Sequence, residues 1–181
     1  MTMRGDEGST GLMYDRRVSK SDPRVACYGA VDEVNAALGL ARVSAGEAPP
    51  EIAEFCASVQ RDLVTVMGEL ATAEADRQRY VEDGFETTGP EMVDRLTAMG
   101  HELEEKRGIR MRGWAFPGDS GSLCAAQLDF ARTVCRRAER CAAGLVEERQ
   151  LANLEVMRYL NRLSDLLWLL ARWAGDEGMA P

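Results

Sequence analysis

Residues 131–140 read ARTVCRRAER and place four arginines and one glutamate within ten positions of an otherwise acidic chain. Arg132, Arg136 and Arg140 recur at i, i+4 and i+8, so in a helix they stack along one side. Like charges at that spacing cost an isolated helix roughly 0.2–0.5 kcal/mol per pair. The stretch therefore predicts a helix whose arginine side faces water, an acidic neighbour or a bound anion.

The opposite side of the same segment is apolar. At about 100° per residue, one broad face is shared by Leu128, Ala131, Val134, Cys135 and Ala138. This pattern is typical of an amphipathic helix packed on a core, which we expect over about 122–147. Every cation on the polar side is an arginine, the residue suited to planar, bidentate capture of phosphate or carboxylate. An ordinary solvated face is the alternative interpretation.

The rest of the chain is also helical in pattern. Four further helices are expected, at about 23–42, 51–76, 91–106 and 153–173. The first of them opens on Asp22-Pro23, which is typical of an N-cap followed by proline at the first helical position. Strand-type alternation is nearly absent. We therefore predict an all-α fold, an up-and-down bundle of five helices.

The first 24 residues show no apolar period and are rich in Gly, Asp, Ser, Thr and Arg. A long arm of this kind on a compact domain is usually either disordered or functional. Its glycines and hydroxyl residues can present backbone N–H groups to phosphate, although neither common phosphate-binding glycine motif is present. We expect one domain over residues 1–181, with an irregular arm over residues 1–24.

Composition limits the classes of function. The 181 residues carry a formal net charge of −8, which disfavours a general nucleic-acid-binding role because phosphate backbones need a basic face. The five cysteines form no C-x-x-C pair, so we expect a reducing cytoplasm rather than disulfides or a zinc site. We expect no signal peptide and no membrane span. His101 is the only histidine, and no E-x-x-H pair exists, which argues against a metalloprotease or a di-iron bundle.

The first helix carries an aspartate among small residues. Asp32 falls on a stripe with Gly29, Ala36 and Gly39, and such a stripe lets another helix come close. A carboxylate in that groove would need a partner, because unpaired buried charges are costly. An arginine of residues 131–140 is the candidate partner, and an ordinary surface aspartate is the alternative.

Two other segments carry candidate ligand contacts. In the last helix, Asn161, Asp165 and Arg172 are expected together, opposite a core face formed by leucines. Asn161 would hydrogen-bond either a ligand or solvent. Trp114 and Phe116 precede a Pro-Gly turn in a loop, where aromatic residues serve either as core plugs or as an apolar wall for a flat ligand. The expected core residues of that last helix are Leu160, Leu163, Leu167 and Leu170.

Five stretches in this order resemble the ATP:cob(I)alamin adenosyltransferases of the propanediol-utilisation (PduO-like) type. They are GDEGSTGL, VSKSDPRVACYGAVDEVNAALGLA, FPGDS, ARTVCRRAER and YLNRLSDLLWLLAR. The resemblance implies a ferritin-like five-helix bundle that forms a homotrimer, with ATP bound at subunit interfaces. It also implies transfer of the 5′-deoxyadenosyl group of ATP to the cobalt of a reduced corrinoid, with release of triphosphate. The corrinoid is either cobalamin or the precursor cobyrinic acid a,c-diamide, and Mg²⁺ enters with the nucleotide phosphates.

The resemblance also implies site residues, by motif position. The arm would contact ATP through Thr2, Met3, Arg4, Gly5, Thr10 and Lys20. The helices would contact ATP through Arg136, Arg137, Glu139, Arg140 and Asn161. An interface ion pair maps onto Asp32 and Arg132, and an aromatic wall beside the corrin maps onto Trp114 and Phe116. We expect Asp32, Arg132, Arg136 and Trp114 to take part in catalysis.

The chain departs from the family pattern at a few positions. Arg4, Glu7 and Asp129 stand where a threonine, a lysine and a histidine are usual, and Trp114 replaces a phenylalanine. Two other functions therefore stay open. One is a non-catalytic sensor or escort of adenosylcobalamin for a partner enzyme. The other is a helical scaffold whose arginine face binds an acidic protein. The transferase would depend on a reductase and would supply an adenosylcobalamin-dependent acceptor enzyme.

Overall fold

The computed structural model describes residues 5–111 and 113–175, so the predicted ATP contacts Thr2, Met3 and Arg4 lie outside the described residues. The described part contains six α-helices: α1 Pro23–Val43, α2 Pro50–Leu70, α3 Arg77–Glu82, α4 Pro90–Lys106, α5 Leu123–Glu147 and α6 Leu154–Ala174. Two short strands precede them, β1 Ser9–Gly11 and β2 Arg17–Ser19. The helical fold predicted from the sequence is confirmed, whereas the predicted number of five helices does not match.

The discrepancy lies at the end of α2. The sequence pattern places that end near residue 76, but the helix stops at Leu70, and the short α3 begins at Arg77. The buried guanidinium of Arg24 donates hydrogen bonds of 2.8 Å to the carbonyls of Leu70 and Thr72. Carbonyls at a helix end need such donors once they leave the intrahelical ladder. A residue of α1 therefore satisfies the end of α2.

The arm is more ordered than the sequence indicates. Strands β1 and β2 pair antiparallel, with Ser9 opposite Ser19 and Thr10 opposite Val18. After β1, the backbone N–H of Met13 donates to the carbonyl of Ala71 at 2.9 Å. The described part of the arm is therefore a small hairpin attached to the end of α2. Strands of three residues are too short for an alternating pattern to reveal them.

The core lies between the long helices, which pack in the order α2, α1, α5, α6 and α4. Both apolar faces predicted from periodicity are buried, including Leu128 and Cys135 of α5 and all four leucines predicted for α6. The N-cap predicted for α1 is confirmed, because the Asp22 carboxylate accepts from the N–H of Arg24 at 2.8 Å. The side chain of Ser122 caps α5 in a similar way. Periodicity and capping therefore placed these helices correctly.

The five cysteines are free thiols, and four of them are buried. Burial raises the pKa of Cys27 and of Cys56 to about 12, so both remain protonated near neutral pH. In residues 5–111 and 113–175, no helix has both the length and the apolar character needed to cross a bilayer.

Candidate functional site

The arginines of α5 form an exposed row on the side of the helix away from the core. Arg136, Arg137 and Arg140 are exposed, while Ala138 between them is fully buried. The Nη1 group of Arg140 donates to the backbone carbonyl of Arg136 at 2.9 Å. Arg137 pairs with Glu33 of α1. The segment thus presents several guanidinium groups at one surface, and this surface can bind a polyanion.

Asn161 of α6 lies beside this row. Its Nδ2 amide donates to the Oε1 atom of Glu139 on α5 at 2.9 Å. The contact joins the two helices at their polar edge, next to Arg136 and Arg140. The structure therefore links Asn161 with Glu139 and Arg140 with Arg136, whereas Arg137 reaches toward α1. A hydrogen bond to Glu139 fixes the Asn161 amide, so that its remaining donor and acceptor positions have a defined direction.

The predicted residues of the arm also come together. The Nζ atom of Lys20 lies 3.1 Å from the point that a Cβ at Gly5 would occupy, so a larger residue there would crowd the lysine. The N–H of Lys20 donates to the Gly8 carbonyl at 2.9 Å, which closes the hairpin over Thr10. Within the described residues, no hydrogen bond or ion pair joins this hairpin to the arginine row.

Asp32 and Arg132 do not pair within one chain. Asp32 is exposed on α1, and its small neighbours Gly29 and Ala36 are also accessible. The side chain of Arg132 is 27% exposed, and its Nε atom lies 3.6 Å from the Oδ1 atom of Asp129. The arginine of α5 that reaches α1 is Arg137, and its partner is Glu33 rather than Asp32. Among the described residues of one chain, Asp32 has no arginine partner, and a pair with Arg132 of another subunit stays a prediction.

The connection between α4 and α5 borders a cavity of about 520 Å³. Trp114 and Phe116 line it and are 84% and 60% exposed, so neither is a core plug. Trp168 of α6 lines the same space. Their exposure excludes a core plug, and an apolar wall for a flat ligand stays a prediction. The remaining lining residues are Gly108, Ile109, Arg110, Gly113, Ala115, Asp119, Ser120, Arg172 and Gly175.

Arg172 was predicted to lie on the exposed polar face of α6. The structure shows that it is buried. Its Nη2 group pairs with the Oδ2 atom of Asp129 on α5, which is itself only 2% exposed. The pairing of Asp129 with Arg172 was not predicted from the sequence. The available signal was a charged residue beside the apolar face of each of two helices expected to pack together. By contrast, His101 lies on the surface, as expected.

Comparisons with known proteins bear on this arrangement. A family model described as cobalamin adenosyltransferase matches residues 1–174. The corrinoid adenosyltransferase PduO of Citrobacter freundii is 39% identical over 174 residues, which are 94% of this chain and 48% of that protein. The chain thus spans about half the length of that relative. The corrinoid adenosyltransferase of Mycobacterium bovis is 34% identical over 179 residues, which are 98% of this chain and 89% of that protein.

Solved structures agree with the sequence comparisons. A variant of the PduO-type ATP:corrinoid adenosyltransferase from Lactobacillus reuteri, complexed with cobalamin and ATP, superposes with a TM-score of 0.86 at 30% identity. The match covers 97% of this chain and 90% of that one. A second variant of the same enzyme, complexed with ATP, superposes with a TM-score of 0.85 at 28% identity. The chain described here therefore belongs to the cobalamin adenosyltransferase family.

Proposed function

We propose that this chain transfers the 5′-deoxyadenosyl group of ATP to the cobalt of a reduced corrinoid and releases triphosphate. The acceptor is cob(I)alamin or cob(I)yrinic acid a,c-diamide. The observation that carries the proposal is the exposed arginine row of α5 beside the Asn161–Glu139 hydrogen bond. Family membership supports it, because relatives that this chain covers over most of their length are named corrinoid adenosyltransferases.

The arginine row would bind the triphosphate of ATP. Arg136, Arg137 and Arg140 supply guanidinium groups, while Glu139 and Asn161 orient the nucleotide through hydrogen bonds. Negative charge collects on the triphosphate as its bond to C5′ breaks, so fixed cations beside it stabilise the transition state more than the ground state. No protein nucleophile is required, because reduced cobalt is the attacking atom.

The second half of the nucleotide site would come from the arm of a neighbouring subunit. We propose that Gly5, Thr10 and Lys20, together with Thr2, Met3 and Arg4, close over ATP bound to the arginine row of another chain. The hairpin attaches to the end of α2, whereas the arginine row lies on α5, and this placement on different elements supports the arrangement. Mg²⁺ would enter with the phosphates.

The assembly would be a homotrimer of ferritin-like, up-and-down subunits, each a single domain, with ATP at the interfaces. An ion pair between Asp32 of one subunit and Arg132 of the next would hold the interface. The same two helices carry exposed apolar side chains, namely Leu40 and Val43 of α1 and Phe130 of α5. Where such side chains join into one contiguous patch, the patch marks a surface that a partner covers.

The corrinoid substrate would occupy the cavity beside the α4–α5 connection. Trp114, Phe116 and Trp168 present flat apolar surfaces there, which fit a planar macrocycle. By holding the corrinoid next to the nucleotide, the protein would align cobalt with C5′ of ATP, and alignment of this kind lowers the barrier substantially. We place the protein in the cytoplasm, with a reductase that supplies the reduced corrinoid and an acceptor enzyme that uses the product.

An anaerobic assay tests the proposal. Protein, ATP, Mg²⁺ and chemically reduced cobalamin are combined, the visible spectrum reports the cobalt–carbon product, and triphosphate is counted. Equal amounts of product and triphosphate support the transferase. ATP binding without product, from cobalamin and from cobyrinic acid a,c-diamide alike, would favour a sensor or escort. Absence of ATP binding would overturn the proposal.

A further inference from the structure

One buried carboxylate lies between the two parts of the proposed site. Asp129 sits in α5, is only 2% exposed, and contacts two arginines. Its Oδ2 atom pairs with Arg172 of α6, and its Oδ1 atom lies 3.6 Å from the Nε atom of Arg132. A carboxylate this deeply buried requires cationic partners, because an unpaired charge there would be strongly destabilising.

Arg132 is held at one end only. Its Nε atom is buried, makes no hydrogen bond and lies 3.6 Å from a carboxylate oxygen of Asp129, whereas 27% of the side chain remains exposed. A free arginine on a helix surface samples many rotamers, and ordering it costs side-chain entropy. The contact with Asp129 restricts those rotamers before any partner arrives. Arg132 can then offer the outer edge of its guanidinium to a carboxylate of a neighbouring subunit.

Arg172, the other partner of Asp129, lines the cavity beside the α4–α5 connection. Its guanidinium carbon lies 5.4 Å from the ring centroid of Trp168, and both residues line the space beside Trp114. The cation over the indole face is a favourable arrangement. Asp129 therefore contacts one arginine in the cavity wall and one arginine at the exposed side of α5.

We propose that Asp129 is a positioning residue for the transfer: it fixes Arg132 at the subunit surface and Arg172 in the cavity wall. The inference rests on the proposed function. Asp129 itself touches neither ATP nor corrinoid, and it acts through the two guanidinium groups. Because Asp129 contacts both guanidinium groups, it fixes the position of Arg132 relative to Arg172. Small displacements of groups that position a substrate reduce catalysis strongly.

The first test is Asp129→Asn, which keeps the shape and one acceptor but removes the charge. We expect kcat to fall about tenfold and KM for the corrinoid to rise, while KM for ATP stays within about twofold. If Asp129 had only a structural role, the substitution would lower the melting temperature but would not change kcat and the corrinoid KM while sparing the ATP KM. The matched control is Asp62→Asn, since Asp62 likewise pairs with an arginine, Arg95, and accepts a 2.8 Å bond from Tyr159, but lines neither the cavity nor the arginine row.

A double-mutant cycle tests whether Asp129 acts through Arg132. Arg132→Ala should itself reduce kcat, and adding Asp129→Asn should then lower kcat by clearly less than the tenfold loss expected in the wild type, because one of the two positioned guanidinium groups is already gone. If Asp129→Asn alone does not yield folded protein, the Asp129→Asn, Arg172→Gln pair removes both buried charges and is compared with Arg172→Gln.

The outcomes separate this inference from the proposed function. If the wild type turns over and Asp129→Asn has the same kinetic constants, the positioning role is overturned and the transferase function stands. The same conclusion follows if the kcat losses of Asp129→Asn and Arg132→Ala multiply in the double mutant. Equal kinetic losses in Asp129→Asn and Asp62→Asn would also overturn the positioning role. An inactive wild-type protein that binds ATP would instead count against the proposed function itself.

Discussion

The arginines of α5 share one side of a helix but differ in their immediate surroundings. Arg132 lies against the buried Asp129, and Arg137 pairs with Glu33. Arg140 donates to the backbone carbonyl of Arg136. Among the described residues, Arg136 forms no ion pair with a carboxylate, so binding a phosphate there breaks no existing charge pair. Arg136 is therefore the arginine most available to an anion.

This availability predicts the behaviour of Arg136→Ala. We expect the Kd for ATP to rise at least about tenfold, because a charge-assisted contact to phosphate is lost. The stability of the fold should change by less than about 0.5 kcal/mol, because the side chain is exposed. Calorimetric titration with ATP and thermal unfolding measure both quantities. Arg61→Ala, at an exposed arginine of α2, serves as the control. If Arg136→Ala has unchanged affinity for ATP, the arginine row is an ordinary solvated helix face and not a phosphate site.

Helix α2 ends where the guanidinium of Arg24, on α1, donates hydrogen bonds to the carbonyls of Leu70 and Thr72. We predict that Arg24→Met destabilises the protein by roughly 2–4 kcal/mol, because the carbonyls of Leu70 and Thr72 lose a charged donor while buried. The neighbouring hairpin should loosen as well, since the N–H of Met13 bonds to Ala71 at the same helix end. Denaturant unfolding and amide exchange at Met13 test this. Arg42→Met replaces an exposed arginine of the same helix α1 and should have little effect.

The α4–α5 connection offers a second prediction at the scale of elements. Trp114→Ala and Phe116→Ala should each fold normally, because both rings are largely exposed. We expect at least one of them to raise KM for the corrinoid about tenfold, since the macrocycle would lose apolar contact area, and to leave ATP affinity unchanged. Steady-state kinetics with varied corrinoid identify which ring faces the substrate. Phe85→Ala, at another exposed aromatic residue, is the comparison, and equal kinetics in all three variants would exclude the wall.

For the whole molecule, the assembly is the property to test. Light scattering should give a mass near three times 19.9 kDa, about 60 kDa, for the wild type. Asp32→Arg should lower that mass and abolish transfer, because like charges would face each other across the interface with Arg132. Glu54→Arg reverses an exposed charge on α2 and should retain both the trimer and its activity. A monomeric wild type that turns over ATP would contradict the interface site.

The sequence by itself determined the five long helices and the apolar faces of α5 and α6. The apolar period of α5 and α6, the caps at Asp22 and Ser122, and the exposed arginine row all arise from contacts within a few residues. The spacing of apolar, polar and capping residues along the chain is sufficient to predict such local features. The motifs that resemble the adenosyltransferases are equally local, so the family was evident at that level.

Only the tertiary structure decided the features that depend on distant residues. The stop of α2 at Leu70 requires Arg24, the β1–β2 hairpin requires attachment to Ala71, and the burial of Arg172 requires Asp129 on another helix. Periodicity cannot reveal these contacts, because the partners are far apart in sequence and each residue alone is compatible with an exposed position. A charged side chain is buried only where packing supplies its counter-charge, and that pairing is a property of the folded chain.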